Sequence, residues 1–182
     1  MQFTQGKLND TWIIQPKVFQ DDRGYFFESF RAENFRKHVG DIHFIQDNES
    51  KSTYGVLRGL HYQLPPFAQS KLVRVVEGKI LDVAVDIRQS SDTFGRAESV
   101  ELSAANKKQF FIPKGFAHGF VVLSETAIVQ YKVDAYYSKE HERGIRYDDP
   151  ELGIDWRIEL DKVQLSEKDL GLPQLNSAAL FE

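Results

Sequence analysis

Two histidines of this chain lie where a side chain could transfer a proton inside a protein. His61 and His118 each lie in an apolar, glycine-punctuated stretch, and we expect the other three of the five histidines to be solvent-facing or simply hydrogen-bonded. A single histidine of this kind is more often a hydrogen-bonded core residue than a functional one. Two of them, each near cationic residues, favour a site.

The surroundings of both histidines match part of a metal-binding pattern, but the ligand set is incomplete. Pro113, Gly115 and His118 have the spacing of the second cupin motif, and Gly55 precedes His61 as in the first motif. Metal-binding cupins continue with a second histidine and a glutamate, whereas Gln63 stands at that histidine position and no carboxylate follows. A transition metal normally needs three or four protein ligands. We therefore expect no metal and no cofactor, and His61 is free to act as a base.

Two more side chains could complete acid–base chemistry beside a carbonyl group. Lys71 begins a strand whose apolar face carries Val73 and Val75. If Lys71 shares that face, its buried ammonium needs an anion, and a developing enolate oxygen is one such anion. Tyr131 alternates with Val129 and is predicted to face inward, although an ordinary core tyrosine fits that alternation equally well. A base, a cation and a phenol together would permit deprotonation on one face of a carbon and reprotonation on the other.

Three cations are candidates for binding phosphate: Arg23, Arg58 and Lys168. A planar guanidinium suits two-point phosphate contact, although each residue taken alone is more often a surface charge. Strict alternation would place Arg58 and His61 on opposite faces of one strand. Gly59 lies between them and permits a bulge that brings both to one site.

Bulk composition bounds the class of protein. The 182 residues suffice for a single domain, 1–182, and the net charge of -4 gives no general attraction to nucleic acid or an anionic membrane. The absence of cysteine excludes disulfides, thiolate ligands and a cysteine nucleophile. The start of the chain is polar, and no apolar run is long enough to span a bilayer. We expect a soluble cytoplasmic protein.

Period-two patterns dominate the elements that must position these residues. Leu81, Val83, Val85 and Ile87 alternate along 79–87, and Glu77-Gly78 predicts a tight hairpin with the preceding strand, 71–77. The other predicted strands are 42–50, 56–64, 117–123 and 126–133. A short helix is predicted over 31–39, and Ser166 resembles a helix cap. Many short strands and 13% aromatic residues predict an all-β protein, with a jelly-roll barrel and a few short peripheral helices as the leading architecture.

Nearly the whole chain resembles the dTDP-4-dehydrorhamnose 3,5-epimerase family, which consists of cupin-fold enzymes of dTDP-L-rhamnose biosynthesis. The matching segments are 16–19, 22–24 with Glu28, 46–48, 55–61, 71–74, 82–86, 112–120 and 165–169. The family usually has an aromatic-Asn-Asp run where this chain has Tyr147-Asp148-Asp149, and proline where it has Arg157. Both departures lie outside the residues assigned to chemistry.

The resemblance implies a role for each matched position. His61 would remove the protons at C3 and C5 of a 4-keto sugar, Asp169 would orient it, Lys71 would stabilise the enolate, and Tyr131 would be the acid. Arg23, Arg58 and His118 would hold the diphosphate and sugar. The nucleotide and sugar pocket would be formed by Glu28, Gln46, Asp47, Asn48, Tyr136, Glu142 and Lys168. Tyr136 would stack on the thymine ring. The family is a homodimer with exchanged N-terminal strands, so Arg23 and Glu28 would act in the partner's site.

The sequence is compatible with three other functions. An epimerase acting at one carbon, or on another dTDP-4-keto deoxysugar, would share the catalytic residues. A metal-dependent cupin is disfavoured by Gln63. A non-catalytic cupin that binds sugar nucleotides would need none of the proton chemistry.

Overall fold

The computed structural model describes all residues from 1 to 182 and contains two antiparallel sheets that face each other. In spatial order the six-stranded sheet contains β1 (Gln2–Gln5), β2 (Trp12–Gln15), β10 (Gln109–Ile112), β7 (Lys71–Glu77), β12 (Thr126–Val133) and β5 (Gln46–Thr53). The five-stranded sheet contains β13 (Glu142–Gly144), β6 (Leu57–Gln63), β11 (Phe116–Val122), β8 (Lys79–Asp86) and β9 (Ala97–Ser103). A separate hairpin joins β3 (Val18–Asp21) to β4 (Gly24–Phe27).

The pairing order of strands β5 to β12 is that of an eight-stranded jelly roll. In one sheet β5 pairs with β12, β12 with β7 and β7 with β10; in the other β6 pairs with β11, β11 with β8 and β8 with β9. Almost every connection therefore crosses from one sheet to the other, which closes the barrel. The prediction of an all-β barrel is confirmed.

The predicted hairpin at Glu77-Gly78 is wrong. Strand β7 belongs to the six-stranded sheet and β8 to the five-stranded sheet, so Gly78, with φ of +77°, marks a corner between sheets. Strands β11 and β12, joined through Ser124-Glu125, also lie in different sheets. Alternation reports which residues share a face, but it does not report which strand lies alongside.

The short elements are close to their predicted positions. Helix α1 (Ala32–His38) buries Phe35, and helix α2 (Glu167–Leu170) begins after Ser166, whose hydroxyl accepts a hydrogen bond from the backbone N–H of Asp169. Two 3-10 turns lie at Leu160–Lys162 and Leu175–Ser177. The strand predicted over 42–50 is misplaced, because β5 begins at Gln46 and continues to Thr53. None of the helices has the length and apolar composition that a bilayer crossing requires.

Three apolar clusters leave one end of the barrel for chemistry. The interior cluster unites both sheets and includes Val73, Ile80, Phe110 and Val129. A second cluster lies between the outer face of the five-stranded sheet and the C-terminal segment, and a third lies between the six-stranded sheet and α1. Strand β8 is consequently buried on both faces. Since the clusters fix the strands that carry them, the polar side chains at the barrel end are held on rigid elements.

Candidate active site

A bulge in strand β6 brings His61 and Arg58 to the same cavity. His61 lies directly opposite His118 of β11, but the register then shifts so that Arg58 lies opposite Phe120. Gly59 adopts φ of +127°, and a Cβ there would lie 2.5 Å from the Cα of Gly119. Only glycine permits this close approach. The predicted bulge at Gly59 is confirmed.

His61 is paired with a buried carboxylate from the C-terminal segment. Its Nε2 lies 2.6 Å from Oδ1 of Asp169, whose side chain is 4% exposed, while the ring of His61 is 26% exposed. Burial would raise the pKa of Asp169, but the hydrogen bond and charge of His61 hold it below its usual range. An ionised Asp169 can accept only, so Nε2 carries the hydrogen and Nδ1 is left with a lone pair. This is the arrangement of an oriented general base.

Lys71 is half-buried beside a second histidine–aspartate pair. Its Nζ lies 3.5 Å from Nδ1 of His118, and Nε2 of His118 lies 2.8 Å from Oδ1 of Asp82. Asp82 is 0% exposed. Burial lowers the pKa of Lys71 to about 8, although Asp82 and Glu142 act in the opposite direction. Lys71 faces inward with Val73 and Val75, as the alternation predicts.

Tyr131 faces the cavity from the wall opposite His61. It lies on β12 in the six-stranded sheet, directly across from Asn48 of β5, and packs on the interior cluster. Burial raises the pKa of Tyr131, an effect that Arg58 partly offsets. The phenol therefore stays protonated at neutral pH and can donate a proton.

These side chains share one cavity of ≈ 500 Å³. It is lined by the four predicted catalytic residues His61, Lys71, Tyr131 and Asp169, together with the predicted binding residues Arg58, His118 and Lys168. An adjoining cavity of ≈ 230 Å³ is lined by the predicted binding residues Gln46, Asn48 and Glu142 and again by His61, Lys71 and Tyr131. The ion pair between Lys168 and Glu142 links the two cavities.

Four predicted binding residues lie away from these cavities. Arg23, whose side chain is 90% exposed, pairs with Asp21 at the tip of the β3–β4 hairpin, and Glu28 pairs with Arg31. Asp47 pairs with Lys132 on the outside of the sheet, because it alternates with the inward-facing Gln46 and Asn48 of β5. Tyr136 is largely exposed. Within one chain, the structure therefore does not bring these four to the base.

Several cavity residues were not singled out from the sequence. Ser50 and Gln164 line the larger cavity, and Tyr137 lines the smaller one and donates a hydrogen bond to Glu142 at 2.8 Å. Asp82 pairs with His118 but lines neither cavity, and the sequence does not indicate it because it alternates with apolar residues on what looks like an outer face. Alternation along β5 does indicate Ser50, because it lies on the same inward face as Gln46 and Asn48.

Gln63, at the position of a cupin metal ligand, organises two loops. Its amide donates to the carbonyl of Phe67 at 2.6 Å, and its oxygen accepts from the backbone N–H of Ser138 at 2.6 Å. No group of three or more His, Cys, Asp or Glu side chains has the geometry of a metal site. At the position where metal-binding cupins have a histidine ligand, Gln63 thus holds the loop that carries Tyr136 and Tyr137 through hydrogen bonds.

Comparison with known proteins identifies relatives over the whole chain. The family model described as dTDP-4-dehydrorhamnose 3,5-epimerase matches residues 5–177. A protein of that name from Shigella flexneri is 53% identical over 182 residues, which is 100% of this chain and 99% of the relative.

Solved structures give the same result. The Legionella pneumophila dTDP-6-deoxy-D-glucose-3,5-epimerase in complex with dTDP-4-keto-L-rhamnose has a TM-score of 0.93 and 49% identity, covering 97% of this chain and 93% of that one. A 3'-monoepimerase from Streptomyces bikiniensis in complex with dTDP-quinovose has a TM-score of 0.89 and 34% identity, covering 95% and 87%. The fold is therefore shared by enzymes that differ in the number of carbons they invert.

Proposed function

This chain belongs to the dTDP-4-dehydrorhamnose 3,5-epimerase family, and we propose that its cavity converts dTDP-4-dehydro-6-deoxy-D-glucose to dTDP-4-dehydro-L-rhamnose. The observation that carries this proposal is the position of four groups around one cavity: the His61–Asp169 pair on one wall, with Lys71 and Tyr131 on the other. These groups suffice for inversion beside a ketone, because the C4 carbonyl already acidifies the C–H bonds at C3 and C5.

His61 removes the proton. Asp169 keeps the hydrogen of the neutral ring on Nε2, so the lone pair of Nδ1 is available to the substrate. When His61 takes a proton it becomes an imidazolium, and the carboxylate 2.6 Å away stabilises that charge. The C–H electron pair moves into the C–C bond and the carbonyl electrons move to the C4 oxygen.

Lys71 stabilises the enolate that results. Its ammonium is the cation on the opposite wall, and in a site with little water a donor aimed at a developing oxyanion is worth far more than in solution. No covalent bond to the protein is needed. The enolate collapses when carbon is reprotonated.

Tyr131 delivers the new proton on the opposite face. The phenol lies across the barrel from His61, so protonation from Tyr131 inverts the carbon, whereas return of the proton from His61 restores it. The phenolate is then reprotonated and the imidazolium loses its proton, and the enzyme is ready for the second carbon. The same pair of groups can serve C3 and C5 if the sugar ring turns between steps.

The diphosphate and nucleotide lie toward Arg58, Lys168 and Glu142 in this proposal. Arg58 donates to the hydroxyl of Ser52 at 3.1 Å and retains other N–H groups for phosphate. His118, Gln46 and Asn48 contact the sugar region, and Tyr136 offers an exposed ring for stacking on thymine.

We infer that the functional unit is a homodimer with exchanged N-terminal strands. Support comes from the β3–β4 hairpin, which exposes Phe19, Tyr25 and Phe26, the last to 71%, and from the unpaired outer edge of β5. A hairpin of this kind can add to the free edge of a neighbouring sheet. Arg23 at the tip of the hairpin and Glu28 just after it would then reach the partner's cavity.

Mixing two inactive variants tests this dimer. Arg23→Ala and His61→Ala chains, refolded together, would form heterodimers in which one site has both wild-type residues. Recovery of activity supports shared sites. No recovery, or a monomer in light scattering, contradicts them.

We also propose that the enzyme works in the cytoplasm. A chain without cysteine has no disulfide to lose in a reducing compartment. Cell fractionation with an activity assay tests this location, and activity confined to the exported fraction would contradict it.

Proton exchange in heavy water tests the central activity. Wild-type enzyme incubated with dTDP-4-keto-6-deoxyglucose should incorporate deuterium at both C3 and C5, followed by NMR. Incorporation at one carbon would instead assign the activity of a monoepimerase, such as the Streptomyces bikiniensis relative. Binding without exchange would contradict catalysis altogether.

A further inference from the structure

We propose that Asp82 is a positioning residue for Lys71, acting through His118. Asp82 lies on β8, His118 on β11 and Lys71 on β7, so the chain of contacts connects the two sheets across the barrel end. This inference rests on the proposed role of Lys71 as the cation that stabilises the enolate.

Hydrogen-bond geometry fixes the tautomer of His118. The carboxylate of Asp82 can only accept, so Nε2 of His118, 2.8 Å away, must carry the hydrogen. Burial lowers the pKa of His118, which keeps the ring neutral and leaves a lone pair on Nδ1. That lone pair faces the ammonium of Lys71 at 3.5 Å. The other tautomer would aim an N–H at the ammonium instead and repel it.

The contact with His118 orients the Lys71 ammonium and leaves N–H groups free to bind the enolate oxygen. One N–H of the ammonium points to His118, and two remain for the cavity. At 3.5 Å the contact is longer than a typical N–H···N or N–H···O bond, so the ammonium can move toward a developing oxyanion while it stays aligned.

Charge balance also supports the assignment. The groups facing Lys71 are Asp82 and Glu142, which favour its cationic form, and the uncharged His118 and Tyr131, while His61 lies on the same wall as His118. Asp82 is the only carboxylate in this buried chain of contacts, and it compensates the charge of an ammonium that burial would otherwise neutralise. Without Asp82, Lys71 would lose its proton more readily.

A cost to folding accompanies this arrangement. Oδ2 of Asp82 is one of only two buried side-chain polar atoms without a protein hydrogen-bond partner; the other is Oγ of Ser50. A bare carboxylate oxygen in a core destabilises the fold. Both carboxylate oxygens of Asp86, by contrast, accept hydrogen bonds.

Asp86 supplies a matched control on the same strand. Like Asp82 it is 0% exposed and lies on the same face of β8, but its carboxylate accepts hydrogen bonds from Arg88, Ser91 and Thr93, and none of these partners lines the catalytic cavity. Substitution there removes a structural network only.

The test measures kcat, KM and melting temperature across pH for wild type, Asp82→Asn, Asp86→Asn and Lys71→Arg. In Asp82→Asn the amide oxygen can still accept from His118, but the side chain has no charge. For this variant we expect kcat to fall about tenfold at neutral pH. The alkaline limb of its kcat–pH profile should move to lower pH by about one pH unit. KM should stay within about twofold, and the melting temperature within about 4 °C of wild type. Asp86→Asn should lower the melting temperature without moving the alkaline limb of the kcat–pH profile. Lys71→Arg should abolish that limb, because a guanidinium stays charged.

Two results would overturn the inference: an unchanged limb and kcat in Asp82→Asn, or a loss of activity that follows the melting temperature as in Asp86→Asn. Failure of the proposed function is a different result, namely absence of turnover by wild type. In that case NMR titration of the Lys71 ammonium in wild type and Asp82→Asn still decides the matter, since positioning by Asp82 requires a lower pKa of Lys71 in the variant.

Discussion

Two histidine–aspartate pairs lie side by side in this barrel, and they differ in solvation. His61 and His118 are cross-strand neighbours, and each has Nε2 within 2.8 Å of a carboxylate oxygen. The ring of His61 is 26% exposed, and its partner Asp169 comes from a short helix. The ring of His118 is buried, and its partner Asp82 comes from a central strand with no exposure at all.

In the proposed mechanism this difference separates a catalytic histidine–aspartate pair from a positioning pair. In our proposal the partly exposed His61 can accept a proton because the imidazolium that forms is accessible to substrate and stabilised by Asp169. In the buried pair desolvation opposes the same charge, so His118 serves as a fixed hydrogen-bond acceptor. In the proposed mechanism one arrangement of side chains therefore has two functions, and the solvation of the histidine ring decides between them.

The largest effect should come from removing the base. His61→Asn preserves size but cannot accept a proton, so kcat should fall on the order of 10³-fold to 10⁴-fold. His118→Asn should lose less, about 10²-fold, because it disturbs the position of Lys71 and a sugar contact but leaves the base in place. Turnover followed by NMR, with circular dichroism as the folding control, measures both. Equal losses would remove the distinction between the two pairs.

Tyr131→Phe should separate proton removal from inversion. Epimerisation should fall on the order of 10²-fold to 10³-fold, while His61 continues to exchange the substrate hydrogen with retained configuration. Deuterium content and stereochemistry of the recovered sugar, measured together, check this. Parallel loss of exchange and inversion would contradict a separate acid on the opposite face.

Asp169→Asn should cost about 10²-fold in kcat. The amide leaves the imidazolium of His61 without its counter-charge and can hold the ring in the wrong tautomer. KM should change little, since the Asp169 side chain is only 4% exposed and its carboxylate is engaged by His61. A change confined to KM would assign Asp169 to binding instead.

The smallest predicted effect is a pH dependence of the wild-type enzyme. The pKa of Lys71 is lowered to about 8, so the cationic fraction is nearly complete at pH 7 and falls as pH rises through 8. The rate should therefore decline above about pH 8, approaching tenfold per unit if the cation is essential. A kcat that stays constant to pH 10 would contradict the requirement for an ammonium at Lys71.

Local patterns predicted the parts of this site that local chemistry determines. Alternation placed Lys71 and Tyr131 inside the barrel, and Gly59 predicted the bulge that aligns Arg58 with His61. The cap at Ser166 predicted the start of α2. Each of these features depends on a few adjacent residues.

Local sequence patterns could not predict contacts between residues that lie far apart in the chain. Asp169 and His61 are 108 residues apart, and only the family resemblance suggested that they meet. Asp82 occupies a face that a strand exposed on one side would give to water, but β8 is buried on both faces. The hairpin predicted at Gly78 failed for the same reason, since sheet membership is a property of the whole barrel.

Deuterium exchange in the two histidine variants tests the account most directly. His61→Asn and His118→Asn would each be incubated in heavy water with dTDP-4-keto-6-deoxyglucose, and incorporation at C3 and C5 followed by NMR. We predict exchange at both carbons, at a reduced rate, with His118→Asn and none above background with His61→Asn. Exchange by His61→Asn together with its loss in His118→Asn would show that the buried pair supplies the base and would contradict the account.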